Sequence, residues 1–122
     1  MTNILIIGLG GFLGANLRYF SGLLMSKYYH EMFGTLLVNM IGSFLIALFY
    51  GYLNDKNVMS EELRLLIPIG ILGSFTTFST FSYTTLILFQ DGNIIRGMLN
   101  IVLSITFCLM FAYLGFITSK IF

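Results

Sequence analysis

Thirteen residues, Gly70–Ser82 (GILGSFTTFSTFS), carry six hydroxyl side chains, two glycines and three phenylalanines inside an otherwise apolar run. Hydroxyls donate hydrogen bonds, and phenylalanine rings are electropositive at their edges. Donors beside ring edges suit an anion, and Phe78 and Phe81 fall three apart. Short polar side chains and glycines also tolerate or create a break in a helix. Such a break exposes N–H ends that suit an anion and carbonyl ends that suit a small cation.

No catalytic set accompanies this stretch. The carboxylates Glu31, Asp55, Glu61, Glu62 and Asp91 all fall in loops or near the ends of apolar runs. The single histidine, His30, and the single cysteine, Cys108, have no triad partner in view and show no metal-ligand spacing. An enzyme is therefore not expected. A proton-coupled small multidrug exporter or a rotor-ring subunit needs an acid within the membrane, and none is offered. A non-transporting membrane interaction or assembly protein explains the glycines but not the hydroxyl-rich interruption.

The elements that must position these groups are membrane helices. The chain is 57% hydrophobic and 9% charged, against about 25% charged in a soluble domain; its mean hydropathy is +0.94. Apolar stretches run over 3–25, 33–53, 64–90 and 95–121, each near or above the ~20 residues a spanning helix requires. The expectation is an all-α membrane protein: one domain, residues 1–122, of four transmembrane helices with the third broken. The N-terminus lacks a basic n-region, so the first span is read as a retained helix. A formal charge of +1 points to no nucleic-acid partner. Lys56, Arg64 and Lys120 lie on one side against Lys27 and Arg96 on the other. So weak a bias permits insertion both ways and suits an antiparallel pair.

Gly8, Gly10, Gly11 and Gly14 imitate a dinucleotide-binding turn, but Leu13 stands where the third glycine belongs, and no strand–helix alternation follows. Gly10/Gly14 and Gly11/Ala15 read instead as small-xxx-small packing pairs. Arg18 continues that face, and either snorkels to the interface or lines an entrance vestibule. Thr35, Asn39, Ser43, Ala47 and Gly51 form a stripe on the second span; Asn39 is either interhelical glue or pore lining. Asn100, Ser104 and Cys108 share a face of the fourth span, with Thr106 off it. Those hydroxyls either bond their own backbone or line a pore. Pro68 is expected to bend the third span, and 54–62 to be a solvated loop.

Three blocks, GGFLGANLRY (10–19), GTLLVNMIGSF (34–44) and GILGSFTTFSTFS (70–82), resemble the bacterial CrcB/Fluc fluoride channels. The resemblance implies a dual-topology antiparallel homodimer in the bacterial cell inner membrane, with two fluoride pathways. It implies a structural sodium ion, Na+, on the twofold axis, held by the carbonyls of Gly73 and Thr76 from both copies. Phe78 and Phe81 match the rings flanking each path, Asn39 the polar residue of helix two, and Arg18 the vestibule arginine. Ser104 is the best match to the polar track of helix four, ahead of Thr106 and Cys108. Thr80 and Ser82 lie in the matching core and are assigned to the same anion pathway. Many members carry a glutamate two residues past TTFSTFS, where this chain has Thr84; the departure also fits one half of a heterodimeric pair.

Overall fold

The apolar runs fold as helices because in hydrocarbon every backbone N–H and C=O must be satisfied within its own segment. A computed structural model describes residues 1–56 and 59–121, with the side chains of 54–56 not described. The expected solvated loop 54–62, including Asp55 and Lys56, therefore lies partly outside the described residues. Helix α1 spans Thr2–Ser26, and α2 spans Glu31–Lys56. The third stretch is composite: α3 (Glu61–Arg64), a π-helical segment (Leu65–Leu72), α4 (Gly73–Phe75) and α5 (Phe78–Gln90). Helix α6 covers Ile94–Ile121. Four apolar helical stretches are long enough to cross a membrane, and every regular element among the described residues is helical.

Pro68 sits in a widened helical register. It lies inside the π segment, where the Gly73 N–H reaches Pro68 O, five residues back, as well as Gly70 O. A proline has no N–H to give, and the wider π register accommodates that gap. This segment is the floor on which α1 lies. Gly10 is buried there, and a Cβ on it would meet Leu66 O, Gly70 Cα and Ile71 N at 3.0 Å or less. Gly14 sits equally close to Ile71 and Phe75. Small residues at these crossings let two backbones touch, which is how helices associate in lipid.

Helices α2 and α6 form the other tight pair, with Gly115 against the Phe44 carbonyl and Gly51 against Ser119. The hinge between α5 and α6 turns on Gly92, whose φ of +76° is left-handed. There Gly92 N–H donates to Phe89 O and Asn93 N–H to Leu88 O, closing the last turn of α5. At the opposite loop His30 accepts from the Met32 N–H through Nδ1 at 3.3 Å.

The buried apolar set is small: Met32, Val38, Leu53, Leu72, Phe81 and Leu88. Large apolar side chains cover the outside, among them Phe12 and Phe20 on α1 and Ile95, Leu109 and Tyr113 on α6. Keeping such a surface in water costs about 25 cal/mol per Å², so its medium is lipid. This is a multi-pass membrane protein.

Candidate functional site

The site is built where α4 stops. Thr76 and Thr77 are extended, with φ/ψ of −78°/152° and −151°/117°, and α5 starts afresh at Phe78. Thr77 caps the new helix through its side chain, accepting from the Thr80 N–H at 3.3 Å, as threonine does at an N-cap. Its hydroxyl donates to Thr80 Oγ1 at 3.2 Å and sits 3.0 Å from Ser79 Oγ.

Asn39 on α2 grips the backbone of Thr77 at both ends. Nδ2 donates to Thr77 O at 3.0 Å, and Oδ1 accepts from Thr77 N–H at 2.8 Å. One hydrogen of the amide stays available. The grip has a second effect on the backbone. In a continuous helix the Thr77 N–H would bond Gly73 O, and the Thr80 N–H would bond Thr76 O. Both donors are engaged elsewhere, so the carbonyls of Gly73 and Thr76 are released from their helical partners. The Thr76 side chain is turned inward: its hydroxyl donates to Leu72 O at 3.0 Å and its methyl lies against Gly42.

Beyond this junction a groove of about 390 Å³ gathers Asn39, Phe78, Phe81, Ser104 and Cys108. The two rings lie 5.3 Å apart, tilted by 46°. They differ sharply in setting, Phe78 being 77% exposed and Phe81 9%. On the other side of Thr77 a second cavity of about 400 Å³ is lined by Arg18, Glu31, Thr35 and Thr80. Thr77 lines both spaces. The stripe on α2 likewise runs from Thr35 in one to Asn39 and Ser43 in the other.

The polar face of α6 meets α5 through a buried chain of hydrogen bonds. Ser104 Oγ donates to Asn100 Oδ1 at 3.4 Å, Asn100 Nδ2 to Thr85 Oγ1 at 2.8 Å, and Thr85 Oγ1 to Phe81 O at 2.8 Å. The chain thus ties Ser104 to the backbone of a groove ring.

Of the residues singled out in the sequence, Asn39, Phe78, Phe81 and Ser104 come together in one groove, and Arg18 and Thr80 share the adjoining cavity. Ser82 joins neither: it is exposed, and its hydroxyl donates to Phe78 O at 3.0 Å. Thr106 is exposed as well. Sequence reasoning missed the roles of Thr77, Thr85 and Asn100. Only Thr77 left a local signal, an N-cap threonine before Phe78–Gln90. The other two pair across fifteen positions, a separation that no periodicity reports.

Comparison with known proteins places these features in one family. The family described as CrcB-like protein, Camphor Resistance (CrcB), matches residues 5–116. A relative from Campylobacter jejuni, named fluoride-specific ion channel FluC, is 48% identical over 122 residues, covering 98% of this chain and 99% of its own. A protein of the same name from Shewanella baltica is 46% identical over 117 residues, or 94% of each chain. Another, from Shewanella putrefaciens, is 45% identical over the same extent. With a match running along nearly its whole length, the chain belongs to the CrcB-like family.

Proposed function

We propose that the chain is a passive, fluoride-selective channel through which fluoride leaves the cell, lowering its toxicity. The observation that carries this reading is the groove itself. An amide, hydroxyls and two phenylalanine rings converge there, while the chain's carboxylates stand outside the membrane-spanning runs or at their ends. Fluoride is small and strongly hydrated. A pore must replace several water hydrogen bonds at once without holding the ion too tightly to release it. Graded neutral donors and ring edges meet that demand; a fixed positive charge at the narrowest point would trap the ion. Arg18, in the adjoining cavity, raises the local anion concentration at the entrance. Weak acid HF enters an acidified cell and ionises there, so export needs only a downhill path. The channel is not an enzyme.

The finer reading is an antiparallel homodimer in the bacterial plasma membrane, each subunit contributing to two anion paths. The strongly exposed Phe78 ring and the near-balanced basic residues support it. A sodium ion shared on the twofold axis fits the same arrangement. The carbonyls of Gly73 and Thr76 have lost their helical donors, and Gly73 is exposed on the single chain. Two such carbonyls from each copy supply an all-oxygen set of the kind a hard cation takes. The ion would be structural, joining the copies, and would not be transported.

The test is efflux of fluoride and of chloride from liposomes holding the purified protein. Fluoride should leave rapidly and chloride hardly at all; equal rates, or no flux from folded dimers, refute the reading.

A further inference from the structure

The cavity of about 400 Å³ beside Thr77 holds one charge of each sign. Arg18 and Glu31 are the charged side chains among the residues that line it. Arg18 is half-buried on α1, and Glu31 is exposed in the first turn of α2. Among the described residues neither side chain makes an ion pair or a hydrogen bond. The two charges thus share one water-accessible space without a direct contact that would neutralise either.

A fixed positive charge at a channel mouth draws every small anion alike, because it acts on charge, and fluoride and chloride carry the same charge. The first turn of α2 adds a second positive source, the N–H groups of the helix N-terminus. Left to themselves, the guanidinium and the helix end would fill the mouth with chloride wherever chloride is abundant. A carboxylate in the same cavity offsets that field at long range. The ordinary role of an acid in a first turn is to favour the helix dipole. That role concerns the stability of α2 and makes no demand on flux, so the two can be told apart.

Resting on the fluoride-channel reading, we propose that Glu31 is the counter-charge of Arg18 at the entrance. It holds the cavity near electrical neutrality, limits the rate at which anions enter, and leaves their selection to the donors and rings of the groove. It acts through its field and not by touching the ion.

The experiment measures fluoride and chloride efflux from liposomes at subsaturating fluoride and fixed sodium. An impermeant organic salt sets the ionic strength at about 0.01 M or about 1 M, where fields reach about 30 Å or about 3 Å. The wild type is compared with Glu31→Gln, Glu31→Asp and Glu61→Gln, and melting temperatures are taken for each. Glu31→Gln should pass fluoride about threefold faster at low ionic strength, the scale of one unit charge acting at close range through water. At high ionic strength it should be no faster than the wild type. Glu31→Asp keeps the charge and should follow the wild type in both conditions. So should Glu61→Gln, which removes an exposed carboxylate outside the cavity. Every variant should still exclude chloride and melt close to the wild type.

A glutamine variant that conducts at the wild-type rate at low ionic strength overturns the proposal. So does a gain that survives high ionic strength, since a field effect is screened. An equal gain in Glu61→Gln overturns it too, because the effect then belongs to the surface at large. A Glu31→Gln protein that melts far lower or fails to fold does the same, by making the carboxylate a support of α2. A wild type that passes no fluoride, or passes chloride as fast, brings down the channel reading and this inference together; a selective wild type beside an unaffected glutamine variant brings down this inference alone.

Discussion

Asn39 holds Thr77 by both of its peptide groups, Nδ2 to the carbonyl at 3.0 Å and Oδ1 to the N–H at 2.8 Å. The residues are thirty-eight positions apart. A single side chain thus satisfies the N–H that Thr77 withdraws from its helical bond, adds a second donor at the N-cap carbonyl, and keeps the interruption between α4 and α5 in one conformation. Replacing Asn39 by leucine leaves the N–H of buried Thr77 unpaired, at about 1–3 kcal/mol, and takes one donor from its carbonyl. The expected result is a large fall in melting temperature along with lost flux. A leucine variant as stable as the wild type would show that the clamp is dispensable.

Aspartate at the same position tests the electrostatics. The ionised carboxylate still accepts from the Thr77 N–H, but it faces the Thr77 carbonyl and stands in an anion's path, so fluoride flux at neutral pH should collapse. Protonation restores a donor toward Thr77 O, so flux should recover as the pH falls. Flux that stays flat from neutral to acidic pH would count against Asn39 lining the path.

The two rings should separate by function. Phe78 is exposed and Phe81 buried, although the pair touches. Phe78→Ile should slow fluoride while changing the stability of the folded chain by no more than about 0.5 kcal/mol. Phe81→Ile should slow it too and additionally cost about 1–3 kcal/mol, as reshaping a packed site does. Efflux rates set beside melting curves for the two variants decide this, and unchanged flux in both would remove the rings from the mechanism.

How much of this was legible in the sequence follows from the range of each interaction. The four apolar runs needed only composition, and Gly70–Ser82 stood out because hydroxyls rarely crowd a lipid-spanning segment. The packing role of Gly10 and Gly14 was readable from their spacing, though not the partner, since nothing local says that Gly70 lies against Gly10. The π register at Pro68 was invisible because it depends on which carbonyl each N–H chooses. Asn100 read only as one member of the polar face of the fourth span, and nothing singled out Thr85, until the fold set them 2.8 Å apart. Ser82 shows another limit: it belongs to the motif, and the sequence could not say that on the single chain its hydroxyl is exposed and turned to Phe78 O.

The α1 crossing predicts a contrast between glycines that look alike in sequence. A Cβ at Gly10 would fall against the backbone of Leu66, Gly70 and Ile71, whereas one at Gly8 meets nothing within 4 Å. Backbone cannot swing aside as a side chain can, so Gly10→Ala must push α1 off the π segment, at about 1–3 kcal/mol or more. Gly8→Ala should be neutral or mildly stabilising, given the higher helix propensity of alanine. Yields and melting temperatures of the two variants read this directly, and equal behaviour would mean the helices do not cross where described.

Sodium dependence offers the sharpest separation of backbone from side chain. If Gly73 and Thr76 hold the ion through carbonyls, the Thr76 hydroxyl is not a ligand, in keeping with its donation to Leu72 O. Thr76→Val keeps the methyl that packs on Gly42 and loses one modest hydrogen bond, about 1 kcal/mol. It should leave dimerisation and flux nearly intact. Exhaustive replacement of sodium by a large organic cation removes the shared ligand instead. Because an ion that binds only the assembled state stabilises it by mass action, the wild type should then dissociate and lose flux, and graded return of sodium should restore both together. A dimer that persists and conducts without sodium would refute the carbonyl site, whatever the valine variant does. A valine variant that fails with sodium in excess would move the ligand from the backbone to the hydroxyl.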